Sequence, residues 1–272
     1  MASRYRRYIT ETAVVWTEIY QKLTAGLERV FRSFLINLNI DVSAGRVFVP
    51  PLPEDRLYSL LWDGMSRAIA NGAYLGTVYK LADIQDVKDE LLKFVTEENA
   101  GYIPEIVIEY LRMYIPTIWK KLENEIVTQI EDILRNSMLE GLTVIQREQE
   151  IAKINLQALT KQRIATIIRT EVTRADSLGK IIMAVNNSNV TGFRFSAVLD
   201  SRTTDMCVSR NGLVMAIDDP LLPENTPPLH PNCRSILTPV TEQFTKIDLS
   251  TLPSTISRES FHEIIAAVLE LR

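Results

Sequence analysis

Apolar positions in the first forty residues recur at steps of three and four: Tyr8, Thr12, Val15, Ile19, Leu23, Leu27, Val30, Phe34 and Leu38. Side chains at that spacing share one helix face, so the pattern predicts one long amphipathic helix. The rhythm stops over residues 37–53, where Gly45, Pro50, Pro51 and Pro53 predict a loop. A second helix is expected from about Glu54, and Ala68, Gly72 and Gly76 stand four apart along it. Such a seam of small residues suits either close approach of a neighbouring backbone or a kinked, frayed end. Residues 83–99 read as a shorter helix, stopped by Asn99-Ala100-Gly101. Pro104 fits the first turn of the next helix, which Pro116 should kink or divide. Ile118, Leu122, Ile126, Ile130, Ile133 and Leu134 then restore the helical spacing. Gly141 predicts a C-terminal cap and Thr143 an N-terminal one. The next two helices carry Ile151, Ile154, Leu159, Ile164, Ile167 and Ile168, and run past Glu171 to about Val185.

After Asn186-Asn187-Ser188-Asn189 the period changes. Residues 191–199 alternate in part, with Phe193 and Phe195 on one side, and 213–217 and 235–238 are further short strand candidates. A proline-rich loop over 220–231 lies between those two, and an amphipathic helix over about 258–271 follows a polar linker. The expected fold is mainly α: a long helical N-terminal body over 1–150, a small α+β unit with a few short strands over 151–240, and a linker with a C-terminal helix over 241–272.

A composition of 46% hydrophobic and 24% charged residues in 272 supports a buried core and excludes a disordered tail or a coiled-coil rod. The net charge of −4 excludes a nucleic-acid-binding polycation. The charge is nonetheless uneven. Residues 1–37 hold six basic against three acidic groups, 54–150 hold ten against eighteen, and 151–240 hold ten against seven. A basic N-terminus suits weak phosphate contact and the acidic middle repels it, although solvated helix faces account for the same runs. Two cysteines make no disulfide framework and fit a reducing compartment. The N-terminus lacks a signal peptide's apolar core, and no uncharged apolar run is long enough for a membrane span.

Four groups of residues stand in order in the C-terminal half. Gly141-Leu142-Thr143 is followed about twenty residues later by Arg163. Next comes Ile168-Arg169-Thr170-Glu171-Val172-Thr173-Arg174-Ala175. The third is Val198-Leu199-Asp200-Ser201-Arg202-Thr203-Thr204-Asp205-Met206-Cys207, with Asn211-Gly212 beyond it. The fourth is Pro227-Pro228-Leu229-His230-Pro231-Asn232-Cys233-Arg234. In register over about 130–240, they resemble the patterns "eGls", "ArTEt.ra", "alD.RT...C" and "PP.HP.CRC" of the phage Mu F-like (head morphogenesis) minor head proteins of tailed bacteriophages. Ser235 departs from the family's usual last cysteine and Phe195 from a frequent tryptophan.

The resemblance implies a structural capsid component present in few copies, made in the host cytoplasm and taken into the procapsid with the portal. Its place would be inside the virion head at the portal vertex. The helical body would bind the portal protein, with scaffold or major capsid protein as further partners. Weak contact with packaged DNA and a part in its packaging or ejection belong to the same expectation, and no membrane does. Some members carry a C-terminal enzymatic domain. Here about thirty residues follow Val240, too few for a separate core, so no enzyme is expected.

Cys207, His230 and Cys233 are ligand types suited to zinc, with His230 and Cys233 three apart. A fourth ligand would come from Asp200, Asp205 or water, since Ser235 offers no thiolate. Two readings stay open: a zinc site, or a packed loop with small buried cysteines and a hydrogen-bonded histidine. Both expect the three side chains to converge. A zinc keeping an open water would make a zinc-dependent hydrolase the rival function, although H-E-x-x-H is absent. The charges of Arg169, Glu171, Arg174, Asp200, Arg202 and Arg234 suit acid/base work in a cleft or an ion-pair network tying the 170–175 helix to the Asp200 loop. With no dedicated nucleophile and two histidines in the chain, they point to the network, and no catalytic residue is assigned.

Overall fold

The apolar stripes of the long helices close on one another around a single segment. The computed structural model describes residues 2–51, 53–78, 103–153, 156–256 and 259–272. In it, helix α1 (Ala2–Asn37), α2 (Glu54–Val78) and α3 (Glu105–Leu139) all pack on α5 (Leu156–Val185). Strand β5 (Ile236–Val240) and helix α7 (Glu259–Leu269) pack on it too. Every residue of α5 over 171–184 is buried, so this stretch is core on all sides. The predicted face of α1 is buried at Ile19, Leu23, Leu27, Val30 and Phe34, and that of α3 at Ile118, Leu122, Ile126, Ile130 and Leu134. Leu27, Leu61 and Leu111 are fully enclosed, each contributing about 1.5–3 kcal/mol.

Of the two readings of the small-residue seam, Gly72 supports close approach. A Cβ there would lie 2.3 Å from the carbonyl oxygen of Asp176, so the backbones of α2 and α5 touch. The helix expected over 83–99 lies outside the described residues. Pro104 precedes α3 as its N-cap instead of entering its first turn, and Pro116 sits inside an undivided helix. Ile115, Ile118 and Trp119, all buried, hold both sides of that proline in one packed element. At the end of α3, Gly141 takes φ 70°. Its N–H donates to Met138 O and that of Leu142 to Ser137 O, satisfying two carbonyls of the last turn. Thr143 and Gln146 then form a reciprocal capping box on α4 (Val144–Ala152).

The loop expected over 37–53 is instead a small hairpin, β1 (Asn39–Asp41) paired antiparallel with β2 (Arg46–Phe48). Its turn is set by Gly45 at φ 65° and by Asp41 Oδ1, which accepts from Ser43 Oγ at 2.7 Å and Ala44 N at 2.9 Å. Strands of three residues are too short to show alternation, so only the turn was visible in the pattern. The second sheet places β3 (Gly192–Ser196) between β4 (Val214–Ala216) and β5, both antiparallel to it. Phe193 and Phe195 are fully buried. A one-turn helix α6 (Asp205–Val208) stands between β3 and β4. The fold is mainly α with a small α+β part. Its apolar core is one cluster from Ile19 to Val268, and no helix among the described residues is long and apolar enough to cross a membrane.

Candidate functional site

Helix α5 carries the first set of motif charges into the core. Glu171 accepts from Tyr114 Oη and from Arg174 Nε, each at 2.9 Å, and both charged side chains are almost wholly enclosed. The Arg174 guanidinium lies between two rings, 5.1 Å from the Tyr114 centroid and 4.6 Å from that of Phe261. Burial works most strongly against its charge, but Glu171, Tyr114 and Tyr110 together outweigh it and hold its pKa above the usual arginine value. These contacts join α5 to α3 and α7. One turn on, Asp176 and Lys180 form a second enclosed ion pair at 2.5 Å, which the sequence reading did not single out. Its signal is an acid four residues before a base, a spacing far more often exposed.

The other side of α5 holds the loop that follows the proline-rich segment. Asn232 stands at φ 64°, a conformation asparagine tolerates better than most residues. Its Oδ1 accepts from Arg169 Nη1 at 2.9 Å, its Nδ2 donates to Thr166 Oγ1 at 3.0 Å, and its N–H donates to Thr170 Oγ1 at 3.0 Å. Thr173 Oγ1 donates to the Cys233 carbonyl at 3.2 Å. Arg169 also lies over the Tyr20 ring of α1, 5.9 Å from its centroid. Two motifs some sixty residues apart thus meet as one joint, and Asn232 is the pivot that the sequence reading missed.

That joint presents Cys233 and His230 to Cys207 on α6. Cys207 Sγ lies 3.3 Å from His230 Nε2 and 3.8 Å from Cys233 Sγ. All three ligand atoms lie within 4.8 Å of one another, with both cysteines buried and His230 half-buried. Hydrogen bonding from Cys233, opposed by burial and assisted by His230, Ser235 and Thr204, brings the Cys207 thiol down to about 4. Cys233 is pushed up by its bond to Cys207 and by burial, and His230 is raised by Cys207. Of the two thiols, Cys207 is thus the one favoured as a thiolate.

Asp200 stands apart from this group. Arg234 donates to both its oxygens, at 2.7 and 2.6 Å, and Arg202 adds its backbone N–H at 2.9 Å and its guanidinium at 3.3 Å. The Arg234 bond, then that from the Arg202 backbone, holds the Asp200 carboxyl below the ordinary range. With both oxygens engaged, Asp200 is not a free ligand, and exposed Asp205 does not join the cluster either. Among the described residues no ion pair links the Asp200–Arg202–Arg234 group to Glu171–Arg174. Uncharged hydrogen bonds through Asn232 and Thr173 make that connection. Arg210 was also missed. It is buried and donates to Asn225 Oδ1 at 2.7 Å, Met206 O at 2.8 Å and Pro253 O at 2.7 Å, clamping α6 to two loops.

The motif residues from Gly141 to Arg234 thus all fall in the segment from the end of α3 to β5. No curated protein and no solved structure matches the chain. The family model described as Phage Mu protein F like protein matches residues 128–238, which begin inside α3 and end inside β5. Residues 128–238 carry a Phage Mu protein F like domain, which supports a phage head-related protein.

Proposed function

We propose that this chain is a structural minor head protein of a tailed phage, seated inside the head at the portal vertex and acting in head morphogenesis. The portal protein is its main partner. One observation supports the structural, non-enzymatic reading: the motif carboxylates are engaged by the protein's own groups. Glu171 and Arg174 are buried against each other, Tyr114 and Phe261, and both oxygens of Asp200 are filled by Arg234. Acid/base catalysis needs a carboxylate that reaches a substrate, and neither does so here.

The portal contact is assigned to the helical body. Its α3–α4 turn exposes Met138, Leu139, Val144 and Ile145, with Leu139 79% and Ile145 67% accessible. Single exposed apolar side chains are ordinary, but four at one turn fit a surface that a partner covers. Scaffold or major capsid protein and packaged DNA are secondary neighbours in the same place, the DNA through the basic groups of residues 1–37.

Co-expression with the portal protein of the same phage tests this. The isolated portal ring should carry the chain, and purified heads should contain it in few copies. A Leu139→Asp/Ile145→Asp double variant should keep its melting temperature yet be retained at least about tenfold less, the effect of about 1.4 kcal/mol of binding energy. Heads that lack the chain, or a ring that never retains the wild type, would overturn the proposal.

A further inference from the structure

The geometry points to a zinc-binding site at Cys207, His230 and Cys233 that locks α6 to the 229–235 loop. A tetrahedral zinc with Zn–S bonds of about 2.3 Å sets its sulfurs about 3.8 Å apart, and with Zn–N of about 2.0–2.1 Å sets sulfur and nitrogen about 3.5 Å apart. The structure has 3.8 Å between the two sulfurs and 3.3 Å between Cys207 Sγ and His230 Nε2. Two edges of a coordination tetrahedron are therefore in place. The third lies within 4.8 Å.

The surroundings favour metal over plain packing. His230 Nδ1 lies 2.8 Å from the Pro231 carbonyl oxygen. A carbonyl only accepts, so Nδ1 carries the hydrogen and Nε2 is the nitrogen aimed at the sulfurs. That is the arrangement by which an outer hydrogen bond orients a ligating histidine. Beneath the loop, Asn232 and the Cys233 carbonyl are bonded to α5, so the loop ligands are positioned before any metal arrives. Soft thiolates with an imidazole select zinc over magnesium or calcium. Three protein ligands leave the fourth position to water. Binding displaces whatever protons the two sulfurs and Nε2 carry, and no oxidant takes part.

The test uses the full chain, reduced and freed of metal, and is independent of any portal contact. Titration with zinc should saturate at one ion per chain. Cobalt(II) in its place should give the near-ultraviolet thiolate charge-transfer band and the intense visible bands of a tetrahedral centre. Cys207→Ser and Cys233→Ser should each weaken binding at least about 100-fold, the upper range of even an outer-shell loss. Asp200→Asn should leave stoichiometry and spectrum unchanged. Removing zinc should lower the melting temperature by about 10 °C. Should a cysteine variant fail to fold, the wild-type cobalt spectrum and zinc protection of both thiols from alkylation still decide the matter. Reduced, folded wild-type protein that retains neither zinc nor cobalt overturns the proposal, as does a cobalt complex without the thiolate band.

Discussion

At Glu171 a carboxylate sits in the helical core with its hydrogen-bonding capacity taken up by Tyr114 and Arg174, so its worth lies in what its removal would strand. Glu171→Ala leaves a buried guanidinium without its counter-charge, a loss of about 3–5 kcal/mol. That is a large share of the stability of an ordinary domain, so little folded protein is expected at 37 °C. Thermal unfolding measures it, and a variant that melts with the wild type would show that the pair is not structural. The charged residue types were legible in the sequence, but their pairing was not. Arg169 and Arg174 lie close in sequence yet serve different neighbours, because helical spacing turns one toward Asn232 and Tyr20 and the other toward Tyr114 and Phe261. A one-dimensional pattern places residues on a face without saying which element covers that face.

Among the elements, the long helices announced themselves because a stripe at 3.6-residue spacing persists over many turns. The three-residue strands of the first hairpin did not, and of the two outcomes expected at Pro116 the helix is not divided, because the packing around it outweighs the local cost of one missing hydrogen bond. Two glycines separate local from tertiary demands. Gly141 sits at φ 70° with open space around it, so asparagine, which tolerates that conformation, should be nearly neutral there. Gly72 has no special conformation to satisfy, but a Cβ would meet the backbone of α5 at 2.3 Å. Gly72→Ala must push two helices apart and should cost about 1–3 kcal/mol. Denaturant unfolding of the two variants tests the contrast, and a Gly72→Ala protein as stable as wild type would refute the close approach.

For the whole molecule, α5 belongs as much to the helical body as to the sheet. It carries the second family motif, packs on α1, α2 and α3, and also touches β5 and α7. A fragment of residues 151–272 would bare the faces of α5 that α1 and α2 cover in the full chain. We expect it to lack cooperative unfolding and to bind hydrophobic dyes, as chains do when compact packing is lost. Sharp thermal unfolding of that fragment would instead establish an independent unit.

The sequence by itself determined the long helices of the described residues, the caps at Gly141 and Thr143, the three strands after residue 190 and the motifs of residues 141–234, because these depend on periodicity, backbone conformation and residue type within a few neighbours. Tertiary structure alone decided that α5 is buried all round and that Asn232 joins two motifs. It also decided that Asp200 is taken up by Arg234 and so stays out of the cluster of Cys207, His230 and Cys233, whose convergence the sequence already pointed to. The side-chain joints among them depend on contacts between residues 23 to 66 positions apart, where partner choice follows from how the helices and the sheet pack together.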